Sequence, residues 1–375
     1  MRATESTPGR IPALDGIRGL AISLVLWSHI ILGMHVPNHP RLERMLELGR
    51  FAWSGVDLFF VLSGFLIGGI LLDAVQSPFY FSTFYIRRAY RILPLYAVLI
   101  ALALVVDRHY GWLPRYMFFL QNWWIAATGL FGPMFLGVTW SLAVEEQFYL
   151  TLPLLVRYLP RTLLLRVLLG AIVAAPIFRM LTMHFFRVKW VGAYVLMPCR
   201  ADALCLGVLI AMATRSTGVW ARILSRRQYV HAALVLASCA GLWMIAGRFQ
   251  PFTGRAFGLE YSFLAVVYSL LLMSALVSRR VSSVFSWAPL RFIGIVAYGV
   301  YLFHAPLILT FEQASLYVWQ TNQGITGLLA SLVGVIASIG LAAVSWKYFE
   351  KPLVKRGHRQ HYWATGKAVA TPLAN

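Results

Sequence analysis

Ten stretches of this chain stay apolar over close to the ~20 residues that a helix needs to cross the bilayer core. They fall at residues 13–34, 55–75, 92–107, 142–159, 162–183, 200–214, 229–247, 258–278, 290–311 and 325–349. Hydrocarbon offers no hydrogen-bond partners, so such runs must satisfy their own amides and carbonyls as helices. The expected fold is therefore all-α, an integral membrane bundle of about ten transmembrane helices. Composition agrees: 59% of the 375 residues are hydrophobic and 12% are charged, where a soluble domain carries about a quarter charged. A disordered chain, a disulfide scaffold and a soluble dinucleotide-binding enzyme are all excluded. The third span is short and opens in a basic cluster, and the sixth carries Arg200 and Asp202 at its start. The aromatic segment from Trp112 to Trp124 is too interrupted to span, and is expected at the interface or as a re-entrant piece.

The charge is lopsided, with 33 Lys and Arg against 13 Asp and Glu. In a soluble protein a net charge of +20 would point to nucleic acid. In a membrane protein, cytoplasmic loops collect Lys and Arg. With the N-terminus inside, the inside segments hold 21 of these residues and the outside segments 11, with Arg18 inside the first span. This bias puts both termini of a multi-pass membrane protein in the cytoplasm. The first apolar run contains Arg18 and lacks a small-x-small cleavage pattern, so it is expected to remain as a span. Residues 1–12 are then an N-terminal cytoplasmic tail, 13–356 the transmembrane domain and 357–375 a basic cytoplasmic tail. Cys199, Cys205 and Cys239 form no CxxC motif and are expected as buried free thiols. No metal site is expected.

Ionisable residues inside membrane spans are costly and are functional candidates by default. Arg18 and His29 are eleven residues apart, about 16 Å and three turns along one helix, so they share a face. Arg18 could instead snorkel to the interface, and His29 could bond a neighbouring helix. Asp57 opens the second span, where it also complements the helix dipole. Nearby, Ser63 and Gly64 suit close helix packing. Arg87, Arg88 and Arg91 crowd the inner mouth of the third span, as an ordinary positive cluster or as a guanidinium clamp for phosphates. Trp140 and Ser141 precede Glu145 and Glu146, two carboxylates entering the fourth span 100° apart. Glu145 follows Ser141 at a spacing that loosely resembles a helix cap. His304 falls past the middle of the ninth span, near the depth of His29. Arg200 with Asp202 reads as a local ion pair, and Glu350 with Lys351 as an interfacial end to the tenth span.

Taken in order, these blocks resemble the acyltransferase 3 family of integral membrane O-acyltransferases. The resemblance lies in Leu14-Asp15-Gly16 with Arg18 and His29, in Gly55 to Phe65, and in Arg87-Arg88-Ala89-Tyr90-Arg91. It continues through Trp140 to Tyr149, Tyr298 to His304, and Tyr348-Phe349-Glu350-Lys351-Pro352. It implies a ten-helix core and transfer of an acyl group, most often acetyl, from acyl-CoA to a hydroxyl. The implied acceptors are extracytoplasmic glycans such as O-antigen and other polysaccharides, Nod-factor-like oligosaccharides, or macrolides. Some members carry a fused extracytoplasmic hydrolase-like domain; this chain is expected to act alone or with a separate extracytoplasmic partner.

The chemistry needs a base near a sugar hydroxyl, which is a poor nucleophile at neutral pH. His29 is expected to be that base, oriented by Glu145 or Glu146, or to form an acyl-imidazole itself. Arg18 would position the donor and Arg87, Arg88 and Arg91 would grip its phosphates. Asp57, Trp140, Ser141 and His304 would face the acceptor. The alternative is a transporter or carrier of a sugar-linked substrate, since buried Arg, His and Glu also suit substrate paths. The lack of an internal repeat weighs against it.

Overall fold

The computed structural model describes residues 11–32, 49, 51–107, 110–133, 135–185, 189–246, 258–319 and 324–363. Among them every regular element is helical. The chain runs through α1 (Pro12–Leu32), α2 (Gly55–Ala74), α3 (Tyr80–Val106), α4 (Leu113–Met117), α5 (Gln121–Thr128) and α6 (Trp140–Tyr158). It continues through α7 (Arg161–Phe185), α8 (Lys189–Val195), α9 (Met197–Thr214), α10 (Thr217–Ser225) and α11 (Arg227–Ala246). It closes with α12 (Leu259–Val277), α13 (Arg279–Phe285), α14 (Ala288–Ile295), α15 (Ala297–Trp319), α16 (Gly324–Ser345), a π-helical turn over Trp346–Glu350, and α17 (Lys351–Gly357).

A helix stands at each of the ten expected spans. Seven spans are long and apolar enough to cross a membrane by length and composition, and α14 with α15 makes an eighth, bent by 74°. The 19-residue α6 falls outside that set because Glu145, Glu146 and Arg157 interrupt it. The chain is thus an all-helical, multi-pass membrane protein. Its third span differs from expectation: α3 begins at Tyr80, so Arg87, Arg88 and Arg91 lie within the helix and not before it. Straight-chain residues such as Arg favour helix, and these arginines face a cavity instead of lipid.

α2 and α9 are the most enclosed spans. They cross backbone to backbone through Gly64 and Gly207. A Cβ at Gly64 would lie 2.0 Å from the Leu204 carbonyl oxygen, and one at Gly207 would lie 2.1 Å from that of Val61. This is the small-residue crossing of membrane helices. Gly64 therefore serves packing as expected, while Ser63 turns to the cavity. On the periphery, Leu163, Leu165, Val173 and Ile177 of α7 are exposed, as lipid-facing side chains are.

Polar ties gather the helix ends into two groups. At one end, Arg157 bonds the Val75 carbonyl, Arg161 bonds the Met212 carbonyl at 3.0 Å, and Arg215 pairs with Asp73 at 2.6 Å. At the other end, the starts of α2, α6, α9 and α12 meet around Asp57, Trp140, Arg200 and Tyr261. Alternating spans require this grouping. The aromatic segment buries Trp112 and Tyr116 and leaves Phe118 and Trp123 exposed, and its amides tie it inward: Gln121 Nε2 donates to the Thr139 carbonyl at 3.0 Å, and Asn122 and Gln147 exchange bonds of 3.2 and 2.9 Å. Burying these amides is tolerable because they are paired.

Candidate functional site

A cavity of about 510 Å³ opens among α1, α2, α3, α6, α15 and the C-terminal arm. Its walls are largely apolar, from Leu14, Phe59, Leu62, Phe84, Ile92 and Leu142. The polar groups converge from three sides: Asp15 and Arg18 on α1, Arg87, Arg88 and Arg91 on α3, and Ser63, Ser141, Glu145 and Tyr149 on α2 and α6. Apolar walls with a few directed polar groups are the ordinary make-up of a small-molecule site.

The cationic end has two kinds of arginine. Arg18 pairs with Asp15 at 3.1 Å, one turn back on the same helix, and thus points into the cavity. Arg88 lies over the rings of Phe84 and Tyr149, 5.8 Å from each centroid. Arg88 and Arg91 make no hydrogen bond or ion pair among the described residues, so both guanidinium forks can take an anion. Arg87 is engaged elsewhere: Nε and Nη2 donate to the Gln360 carbonyl at 3.1 and 2.6 Å, and Tyr362 stacks beneath it.

Glu145 faces the same cavity. Tyr149 donates to its Oε2 at 3.2 Å, and Ser63 lies 3.0 Å from the Tyr149 hydroxyl. The capping arrangement expected of Ser141 and Glu145 does not form. Ser141 instead bonds the Tyr301 hydroxyl at 2.8 Å, because the helix already has its first turn in place and both side chains face α15 or the cavity. Glu146 points away from Glu145, with its Oε1 buried and unpartnered among the described residues.

His29 stands one turn beyond Val25, a cavity-wall residue, on the same face of α1. Its Nδ1 is 2.9 Å from the Val25 carbonyl. A carbonyl only accepts, so Nδ1 carries the proton and Nε2 keeps its lone pair. The His304 ring meets it edge to face, with centroids 4.7 Å apart at 82°. His304 repeats the arrangement: Nδ1 lies 2.7 Å from the Tyr301 carbonyl, and Nε2 is buried with no partner among the described residues. The structure thus brings His29 and His304 together. Among the described residues no hydrogen bond joins His29 to Glu145 or Glu146.

Asp57 and Trp140 belong to a separate, deeply buried cluster. Asp57 pairs with Arg200 at 2.5 Å, and Asp202 pairs with Arg179 at 2.9 Å. The expected Arg200–Asp202 pair is therefore wrong. Residues two apart on a helix point to nearly opposite faces and cannot meet. Tyr261 lies under Arg200 at 4.4 Å and Trp140 packs on Tyr194 at 4.5 Å, enclosing the charges in aromatic rings. Arg179 escaped the sequence reading. Its one signal was an arginine deep in the apolar stretch of α7, well past Arg161 and Arg166 at its start. Two smaller expectations also fail. Cys239 is exposed, unlike buried Cys199 and Cys205, because it sits on an outward face of α11. Glu350 is buried and accepts from Ser345 at 2.9 Å, while Lys351 is exposed; the π-turn rotates the carboxylate inward.

The membrane bundle thus carries one cavity with a basic end, and a histidine pair one turn beyond its wall residues Val25 and Tyr301. The chain belongs to the acyltransferase 3 family: the family's profile, described as an acyltransferase domain, matches residues 11–347. It is similar to the peptidoglycan O-acetyltransferase OatA of Listeria monocytogenes, 28% identical over 96% of this chain and 58% of that protein. It is also similar to YrhL of Bacillus subtilis, at 29% over 93% of this chain and 56% of that one. The O-acetyltransferase OatA of Staphylococcus aureus is 24% identical over 94% and 58%. The chain thus spans a little over half the length of these relatives. No solved structure matches it.

Proposed function

We propose that the protein is a membrane O-acetyltransferase that moves an acetyl group from acetyl-CoA to a hydroxyl of a glycan, with peptidoglycan the first acceptor to test. The observation that carries this reading is the continuity of one cavity. It runs from Arg18, Arg88 and Arg91 to Ser141 and Tyr301, one turn short of His29 and His304. The arginine end suits the donor's phosphates, and the apolar walls suit its pantetheine arm. The names of the relatives supply the acceptor class.

In this reaction the acceptor oxygen attacks the thioester carbonyl carbon while its proton passes to Nε2 of His29. The tetrahedral intermediate then collapses, the carbon–sulfur bond breaks, and the thiolate takes the proton and leaves as free CoA. The Val25 carbonyl fixes the tautomer that this requires. His304 offers a neighbouring lone pair, which favours the transient imidazolium. Glu145 acts on the donor side, holding Tyr149 beside Arg88. Asp57 and Trp140 position the outer wall through Arg200. The donor enters from the cytoplasm of the bacterial plasma membrane, and both termini lie on that side.

The test is acetyl transfer from labelled acetyl-CoA to glycan in membranes carrying His29→Ala. General bases contribute about 10²–10⁴ in rate, so activity should fall at least about 100-fold at unchanged protein level. Activity near that of the parent overturns the assignment.

A further inference from the structure

The basic tail is not a bystander to the cavity. After α17 the chain turns back and lies along the first turns of α3. Thr83 donates to the His361 carbonyl at 3.1 Å, Ser77 donates to the Tyr362 carbonyl, and Arg87 donates twice to the Gln360 carbonyl. Gly357 is buried against the ring of Tyr90, with room for no Cβ: one would lie 2.9 Å from the Tyr90 Cβ. Three successive carbonyls tied to α3 and to the turn just before it are a built contact, not a loose end. The contact places Val354, His358 and Tyr362 on the cavity wall beside Arg87, Arg88 and Arg91.

We propose that His358 is a further donor-binding residue, a proton-regulated ligand for the phosphates of the acyl-CoA. This rests on the reading of the cavity as the donor site. His358 lines the cavity and keeps part of its surface open to solvent, where a large polyanion can reach it. From α3 it is faced by Arg87, Arg88 and Arg91, and on its own arm by Tyr362. From the π-turn, Glu350 acts on Arg91, and Lys347 lies over Tyr348. Partial burial and then the three arginines hold the His358 imidazolium below its usual range, so the empty site favours neutral His358. Bound phosphates reverse that balance by bringing negative charge among the same groups. Donor binding and protonation of His358 therefore favour each other, and the donor is held more tightly as pH falls.

The experiment is KM for acetyl-CoA against pH, in membranes holding the full chain, for the parent, His358→Ala and His358→Arg. A charge-assisted hydrogen bond at a partly exposed site corresponds to a change in KM of about fivefold to tenfold. His358→Ala should raise KM by that amount at pH 6 and have little effect at pH 8, with kcat retained at saturation. His358→Arg should keep the low KM at both. Equal KM values for parent and His358→Ala at pH 6 overturn the proposal. So does a fall in kcat alone, which would mark a merely structural arm. Replacing Arg88 and Arg91 by Gln in parallel separates the two ideas. If these variants leave KM unchanged the cavity is not the donor site, whereas if they raise it and His358→Ala does not, only the role of His358 fails.

Discussion

Arg200 shows how much one residue can depend on its partner in this protein. It is fully buried, salt-bridged to Asp57 at 2.5 Å, and covered by Tyr261. Removing one member of a buried ion pair strands the other charge, at about 3–5 kcal/mol, while replacing both by apolar residues of similar size is often tolerated. Arg200→Met and Asp57→Leu should each sharply lower the midpoint of thermal unfolding in detergent, and the double variant should recover most of the loss. If the double variant is as unstable as the sum of the singles, the pair is not the unit argued here. The partner of Arg200 was not legible in the sequence, because 143 residues separate it from Asp57. Arg18 and His29 were legible, since a single helix fixes their shared face. The contact of His29 with His304 was legible only as a common depth, because sequence spacing says nothing about which helices touch.

At the scale of elements, a helix stands at each of the ten apolar runs, seven or eight of them long and apolar enough to span, and the failures had local causes. α3 was read as short because arginine was taken for a boundary, yet a helix can carry arginines into a polar cavity as readily as to the interface. The bend between α14 and α15 left no mark in an unbroken apolar run. The crossing of α2 on α9 gives a sharper test. A methyl group at Gly64 meets a carbonyl oxygen at 2.0 Å, so Gly64→Ala must push two backbones apart. Such overpacking costs about 1–3 kcal/mol. Gly170 of α7 has nothing within 4 Å of its own Cβ position, so Gly170→Ala should be neutral or stabilising by about 0.5–1 kcal/mol from helix propensity alone. Unfolding midpoints of the two variants, measured side by side, should move in opposite directions or differ clearly in size.

At the scale of the whole molecule, the structure changes what the positive charges count for. Arg179 and Arg200 were tallied with the outer loops, but both are fully buried in ion pairs and face no bilayer surface. Arg87, Arg88 and Arg91 belong to the cavity as much as to the inner face. Discounting all five leaves 18 inner against 9 outer Lys and Arg, so the two-to-one bias survives. The end holding Arg157, Arg161 and Arg215 should therefore face the cytoplasm, as a donor entering beside Arg88 and His358 requires. Arg226, exposed between α10 and α11, lies at that end, and Thr128, exposed at the end of α5, lies at the other. With Cys239 changed to Ser and one cysteine placed at either position, an impermeant thiol reagent should label Thr128→Cys in intact spheroplasts and Arg226→Cys in inverted vesicles. The opposite pattern would put the arginine mouth outside, where acetyl-CoA does not reach it, and the donor path would have to be abandoned together with the orientation.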